Sequence, residues 1–313
     1  MRRAAGGLSI AMVAATAGVW LSGIPHEVAF VRSPDIWPVA VREPVEIIFG
    51  GDMLFDRSIR LAMEREGENY PLSCIAELLR SADIVVANLE GPITSHPSKS
   101  AYSKIGEPDN FTFTFPTSTA ALLARHNIRL VNLGNNHIMN FGRDGFEQTK
   151  KILDESSVAY FGDVAGESVV YRTVLRGVEL TFFNYNEFDV GEDYSNILQN
   201  IGIARGNGQL PIVYAHWGDE YVPPPARVKE LARSFVDAGA EAVIGSHPHI
   251  VQESEFYLGK YIYYSLGNMV FDQYWDESVR RGLLIRVSFT REGIGVVEEI
   301  PIENQTDRRT CAV

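Results

Sequence analysis

The chain has 313 residues, enough for one large domain with a sizeable core, and a formal net charge of -12. Lys and Arg number 28 against 40 Asp and Glu, with no basic block in the body of the chain, which argues against nucleic-acid binding. An anionic partner must therefore be held by local cations, which a bound metal can supply.

Arg2 and Arg3 precede an uncharged stretch, 4–25, rich in Ala, Val, Leu and Ile. A bilayer-spanning helix needs about 20 such residues. No good small-residue cleavage site closes the stretch, so 1–25 is expected to be an uncleaved anchor rather than a removed signal. The N-terminus would be cytoplasmic and the body extracytoplasmic, or secreted if the signal is cut. Residues 26–43 contain Pro34 and Pro38 and read as a linker, so the folded domain is expected over 44–302.

Within that domain five apolar runs each end in Gly or Asn and then in a group able to bind metal. Residues 45–50 lead to Asp52, 84–87 to Asn88-Leu89-Glu90, and 130–133 to Gly134-Asn135-Asn136-His137. Residues 211–215 lead to His216-Trp217-Gly218-Asp219-Glu220, and 242–244 to Gly245-Ser246-His247-Pro248-His249. Such runs read as buried strands, with helical patterns between them at 56–66, 72–81, 119–126, 143–155 and 225–238. The polar stretch 94–116 reads as a long loop ending in a short strand, of the kind that often borders a site. Shorter alternating runs at 179–185, 254–258, 260–265, 282–289 and 295–302 predict antiparallel strands of a second sheet. The polar tail 303–313 is expected to be disordered. Cys74 falls in a helical pattern and reads as a small buried hydrophobe. A disulfide to Cys311, the other cysteine, rests on nothing but the count, and the two are expected to remain unpaired.

Ligands of α/β folds gather at the carboxyl ends of strands, where Asp52, Glu90, Asn136, His137, His216, His247 and His249 all fall. Taken singly, Asp52 can cap a helix, Asn136 can fill a turn, and Glu90 can be a solvated loop charge. The histidine pair by itself can be one turn cap and one core residue. Coincidence at five strand ends favours ligands. Carboxylate, carboxamide and imidazole together suit Mn, Zn or Fe. Seven groups are too many for one tetrahedral ion and about right for two divalent ions sharing a carboxylate, an arrangement that clamps both oxygens of a phosphoryl transfer. Glu220, Tyr221, Asn268 and Asp272 read as supporting residues, and His26, His96 and His126 as bystanders.

The motifs around Asp52, Glu90, His137, His216 and His249, followed by Tyr264-Ser265-Leu266-Gly267-Asn268, occur in the order found in the CapA family. The chain resembles these capsule-synthesis, poly-γ-glutamate-associated proteins over about 45–289 and, more distantly, the calcineurin-like metallophosphoesterases. The resemblance implies a four-layer α-β-β-α sandwich with two metals at the strand ends. Asp52 would bind the first metal and Glu90 would bridge. Asn136 and His216 would bind the second metal, together with His247, while His249 would go to the first. His137 would be the catalytic acid. Two positions depart from the metallophosphoesterase pattern: Leu54 stands where a histidine ligand is usual, and Asn140 where an Asp often follows the Asn-His pair. The first metal is left with Asp52, Glu90 and His249.

Two functions stay open. One is an anchored metal-dependent hydrolase acting on phosphoester or related bonds of an anionic cell-surface polymer. The other is a non-catalytic binding or export subunit working with other capsule-synthesis proteins. A cytoplasmic phosphatase would require that 1–25 not be an anchor.

Overall fold

The computed structural model describes residues 43–164, 167–190 and 194–313. The expected anchor and most of the linker lie outside the described residues. No helix among those described is long and apolar enough to cross a membrane.

Two sheets form the centre. The first contains β1 (Val45–Met53), β2 (Ile84–Leu89), β3 (Ile128–Asn132), β4 (Ala159–Val164) and β5 (Glu167–Val169). The second contains β6 (Tyr171–Leu175), β7 (Val178–Asn186), β8 (Leu210–His216), β9 (Ala242–Ser246), β10 (Ser254–Tyr257) and β11 (Lys260–Tyr263). The chain then returns to the first sheet with β12 (Asn268–Val270), β13 (Arg281–Thr290), β14 (Gly293–Asn304) and β15 (Thr310–Ala312). The first sheet runs β15-β14-β13-β1-β2-β3-β4-β5 with β12 also paired to β1, and the second β10-β11-β9-β8-β7-β6. Strands β1 to β4 are mutually parallel, as are β7, β8, β9 and β11.

Helices α1 (Arg57–Glu66), α2 (Ala76–Arg80), α3 (Thr119–Arg125) and α4 (Gly142–Glu155) contribute to one apolar core with the first sheet. The short α5 (Glu187–Val190) follows β7. Helices α6 (Ser195–Gly206) and α7 (Ala226–Asp237) pack on the second sheet, and α8 (Glu277–Arg280) precedes β13. Alternation along the strands builds the layers. Ile48, Val85 and Val131 face the helices, while Ile47, Phe49, Val86 and Leu130 meet Phe182, Ile212, Tyr214 and Ile244 between the sheets. Val213, Ala215 and Val243 then turn outward to Phe235 and Ile201. Three cores between four layers give a mixed α/β sandwich.

Several expectations need correction. The strands at 282–289 and 295–302 are antiparallel but belong to the first sheet, and that at 179–185 pairs in parallel with β8. Alternation reveals which face is buried and not which strand lies alongside. Only 76–80 of the predicted 72–81 helix is α-helical, because the 3-10 turn Tyr70–Leu72 and the turn residues 73–75 that follow it take up its start. The strand expected at the end of the 94–116 loop is reduced to a single bridge, Ile93 to Phe115. Helix α6 has no counterpart among the expected elements.

The tail is ordered: β14 runs to Asn304 and β15 pairs back onto it. Cys74 and Cys311 form a disulfide across 237 positions of sequence, with their Cα atoms 4.9 Å apart. Both expectations about this region failed for one reason. The β14–β15 hairpin carries Cys311 to the turn beside Cys74, a proximity that only the folded sheet edge creates.

Candidate metal centre

The carboxyl ends of the two sheets converge. Asp52 lies at the end of β1, Glu90 directly after β2, and Asn136 and His137 after β3. His216 is the last residue of β8, and His247 and His249 follow β9. Close approach of the strands demands glycine. A Cβ on Gly51 would stand 1.8 Å from the Gly267 carbonyl oxygen, and one on Gly245 would stand 1.9 Å from that of Tyr264. His247 and His249 adopt φ of 95° and 57°, values uncommon for residues with a side chain. Strain of this kind costs about 1–3 kcal/mol per residue and tends to sit at functional sites.

Two groups of donors form, and they share one residue. Glu90, His216 and His247 place ligand atoms within 4.8 Å of one another, as do Asp52, Glu90 and His249. These five residues are buried. Both Glu90 carboxylate oxygens and His247 Nδ1 are buried with no hydrogen-bond partner. Unpartnered buried acceptors are expensive, and a cation between the ligands satisfies them.

Hydrogen bonding fixes the ring orientations. Asn268 Nδ2 donates to the carbonyl oxygens of His249 and Val279 and to Gln273 Oε1, so its Oδ1 must be the acceptor for His249 Nδ1–H at 2.9 Å. In the neutral ring that leaves the Nε2 lone pair, 3.7 Å from Glu90 Oε1. Ser246 donates its hydroxyl proton to the Ala215 carbonyl and can accept from His216 Nδ1, 3.0 Å away. Asn88 Nδ2 also lies 3.4 Å from His216 Nδ1; with the proton on Nδ1 and shared with Ser246, His216 Nε2 and Asn136 Oδ1, 2.9 Å apart, would both present lone pairs to a cation. Anchoring one ring nitrogen so that the other can ligate is the usual way proteins orient metal-binding histidines.

Asp52 accepts from Asn88 Nδ2 at 2.8 Å and from the His247 backbone N–H at 2.9 Å. Asn88 Oδ1 in turn accepts from Asn132 and Asn135. Neither Asn88 nor Ser246 was singled out from the sequence. Asn88 had a signal, since it lies two positions before Glu90 and so shares its face of the strand. Ser246 had none.

Burial dominates the electrostatics. It pushes the Asp52 carboxyl up to about 7, against the pull of the His247 N–H and Asn88. Glu90 is raised well above the usual range by burial and then by the Asp52 charge. Burial, followed by the neighbouring histidines, holds His216 and His249 well below the usual imidazole value, and burial takes His247 down to about 4. Neutral imidazoles beside two carboxylates starved of counter-charge are the chemistry of a divalent-cation site.

His137 stands at the edge of this cluster, its ring 4.3 Å from that of Phe113. Asn140 Oδ1 accepts from the Phe113 N–H and therefore also from His137 Nδ1–H, at 3.2 Å. Burial lowers the His137 pKa to about 4, while Asn140 favours the protonated ring. Leu54 lies in the helix-facing core with no exposure. Of the supporting residues, Asn268 holds His249, and the Tyr221 ring stacks on His249 at 6.0 Å with its hydroxyl accepting from Gln273. His96 pairs with Asp144, and His126 is buried at the end of α3, both away from the cluster.

Fold and site together define a class: a two-sheet α/β sandwich whose strand ends gather a buried carboxylate, carboxamide and imidazole set able to hold divalent metal. The family described as bacterial capsule synthesis protein PGA_cap matches residues 46–273, and the chain belongs to it. It is 28% identical to the capsule biosynthesis protein CapA of Bacillus anthracis over 300 residues, covering 88% of this chain and 71% of the relative. With the PGA biosynthesis protein CapA of Bacillus subtilis (strain 168) it shares 29% over 275 residues, covering 82% and 70%. Among solved structures, a hypothetical protein from Thermus thermophilus matches with a TM-score of 0.53 at 15% identity, over 83% of this chain and 99% of its own. That likeness concerns the fold alone.

Proposed function

We propose that this chain serves in the synthesis of a poly-γ-glutamate capsule or a related anionic cell-surface polymer, and that its metal centre hydrolyses a phosphoester or related bond. The observation that carries the reading is Glu90, a buried carboxylate with both oxygens unpartnered, shared by two triads of donors. Asp52, Glu90 and His249 would hold one divalent ion, and Glu90, Asn136, His216 and His247 a second. Such ions supply Lewis acidity toward a phosphoryl or carbonyl oxygen and a more acidic bound water. Asn268 and Ser246 hold the ligand rings in place. His137 keeps its Nδ1 proton on Asn140, which would leave Nε2 to bond the reacting group of the substrate. Family membership and the two CapA relatives support the role in polymer synthesis. The Cys74–Cys311 disulfide supports an oxidising, extracytoplasmic setting, with residues 1–25 as the anchor.

A second reading, a polymer-binding or export subunit without turnover, is favoured by Leu54 and Asn140. The first removes a metal ligand from its usual place, and the second removes the charge that would raise the basicity of His137. Elemental analysis of the full chain, beside a His247→Ala, His249→Ala double variant, tests the centre. Two metals in the parent and none in the variant are expected. No uptake from Mn, Zn or Fe by the parent would sink the metal reading. Loss of turnover in His137→Ala, with metal content intact, would separate hydrolase from binding subunit.

A further inference from the structure

A cavity of about 370 Å³ is walled by α1, the loop after β2, the segment after β12 and the β14–β15 turn. Two sets of ring contacts link its wall to the metal ligands, each through an intervening aromatic side chain. The Arg57 guanidinium lies 5.1 Å from the Phe113 ring and 5.4 Å from that of Phe271. Those rings pack on His137 and His249, at 4.3 and 4.6 Å. On the outer side the Trp275 ring meets Tyr221 edge-on at 5.7 Å, and Tyr221 stacks on His249.

Among the described residues, the cavity lining carries one cation with no ion-pair partner, its nearest negative charge being Asp307 in the same turn, which pairs with Arg309. Arg57 is neutralised by Asp272, 2.5 Å away. Arg308 has no carboxylate within ion-pair distance among those residues. Its Nε donates to Ser58 Oγ at 2.8 Å, its Nη1 donates to the Thr306 carbonyl, and its guanidinium sits 4.7 Å over the Tyr274 ring, which leaves Nη2 for a ligand. The backbone there is left-handed, at φ 81°, in the turn that the disulfided β15 strand anchors. Fold, stacking and hydrogen bond thus fix a guanidinium on the wall of a cavity whose other lining includes Leu61, Ala101, Ile105 and Trp275.

We propose that this cavity is a carboxylate-binding subsite, in which Arg308 holds the carboxylate of one unit of an anionic chain while a neighbouring unit lies at the metal ligands. A single excess positive charge matches a monoanionic carboxylate rather than a dianionic phosphate. Apolar walls match the methylene groups of an amino-acid polymer. The assignment rests on the reading of a polyanionic substrate at the metal centre and names what that substrate carries.

The test is calorimetric titration of a γ-linked glutamate hexamer into the metal-loaded full-length chain, with inorganic phosphate as the second probe. Arg308→Gln is expected to weaken hexamer binding about tenfold or more, with metal content, melting temperature and phosphate affinity unchanged. Arg308→Lys, which keeps the charge but not the fork, should recover part of the loss. Unchanged hexamer affinity in Arg308→Gln overturns the subsite, as does phosphate binding with the same dependence on Arg308. A parent that takes up metal and phosphate but no hexamer overturns the subsite and leaves the metal centre standing. Hexamer binding that depends on Arg308 in a chain holding no metal supports the subsite while the metal reading fails.

Discussion

At the scale of single residues, Glu90 concentrates the energetic cost of the site. A buried carboxylate with no donor is destabilising unless a proton or a cation compensates it. Glu90→Gln should therefore melt no lower than the parent in chelator, since the substitution removes a buried charge and keeps the shape. With Mn or Zn at a hundredfold excess over the dissociation constant, the parent should gain about 2.7 kcal/mol, and the variant much less. Calorimetric melting with and without metal reads this directly, and an equal gain in both proteins would remove Glu90 from the site. Sequence alone placed Glu90 after an apolar run but gave no view of its surroundings. Its lack of partners appears only when β1, β3 and β9 close around it.

The elements around the site are joined by two devices of opposite visibility. Gly50-Gly51 was legible as a strand-end motif, yet its physical reason lies in β12, whose neighbouring Gly267 carbonyl leaves no room for a Cβ at Gly51. Gly51→Ala should push β12 off β1, displace Asn268 and with it His249, and cost on the order of 3 kcal/mol. Urea unfolding and metal content should fall together. Loss of stability with full metal retention would show that β12 does not set the His249 ring. The second device is the hairpin that carries Cys311. Cys311→Ser should lower stability by about 2–4 kcal/mol under oxidising conditions and match the parent in reductant. Identical denaturation curves in both buffers would mean that the cross-link contributes nothing.

Across the whole molecule, Glu241 ties layers together. Its carboxylate, almost fully buried at the start of β9, accepts from Arg205 of α6, Lys260 of β11 and the Ile294 N–H of β14 in the other sheet. Burial alone would raise its pKa, but Lys260, the Ile294 N–H and Arg205 outweigh it and hold the carboxyl below the ordinary value. A group depressed in the folded state stabilises fully above its unfolded pKa, and the contribution fades as pH falls through the folded value. Glu241→Gln should thus lose about 1–3 kcal/mol at neutral pH, with the gap to the parent narrowing in strong acid. A gap that stays constant across that range would show that the carboxylate charge is not its source.

What the sequence determined by itself was local and periodic. Continuous apolar runs such as Ile47-Ile48-Phe49 and Ile212-Val213 marked buried strands, the family resemblance implied the layered sandwich, and the breaks after those runs set where Asp52, Glu90, Asn136, His216, His247 and His249 emerge. Strand ends lie on one side of a parallel sheet whatever the strand order, so the candidate site could be gathered without knowing that order. Tertiary structure alone decided the contacts between positions far apart in the chain. It placed β13 and β14 in the first sheet, brought Cys311 to Cys74, turned Asn268 toward His249 and set Arg308 on the cavity wall. Each depends on which strands become neighbours. Burial patterns constrain that choice only through the sum of the packing, because a strand reads the same whichever partner completes its hydrogen bonds.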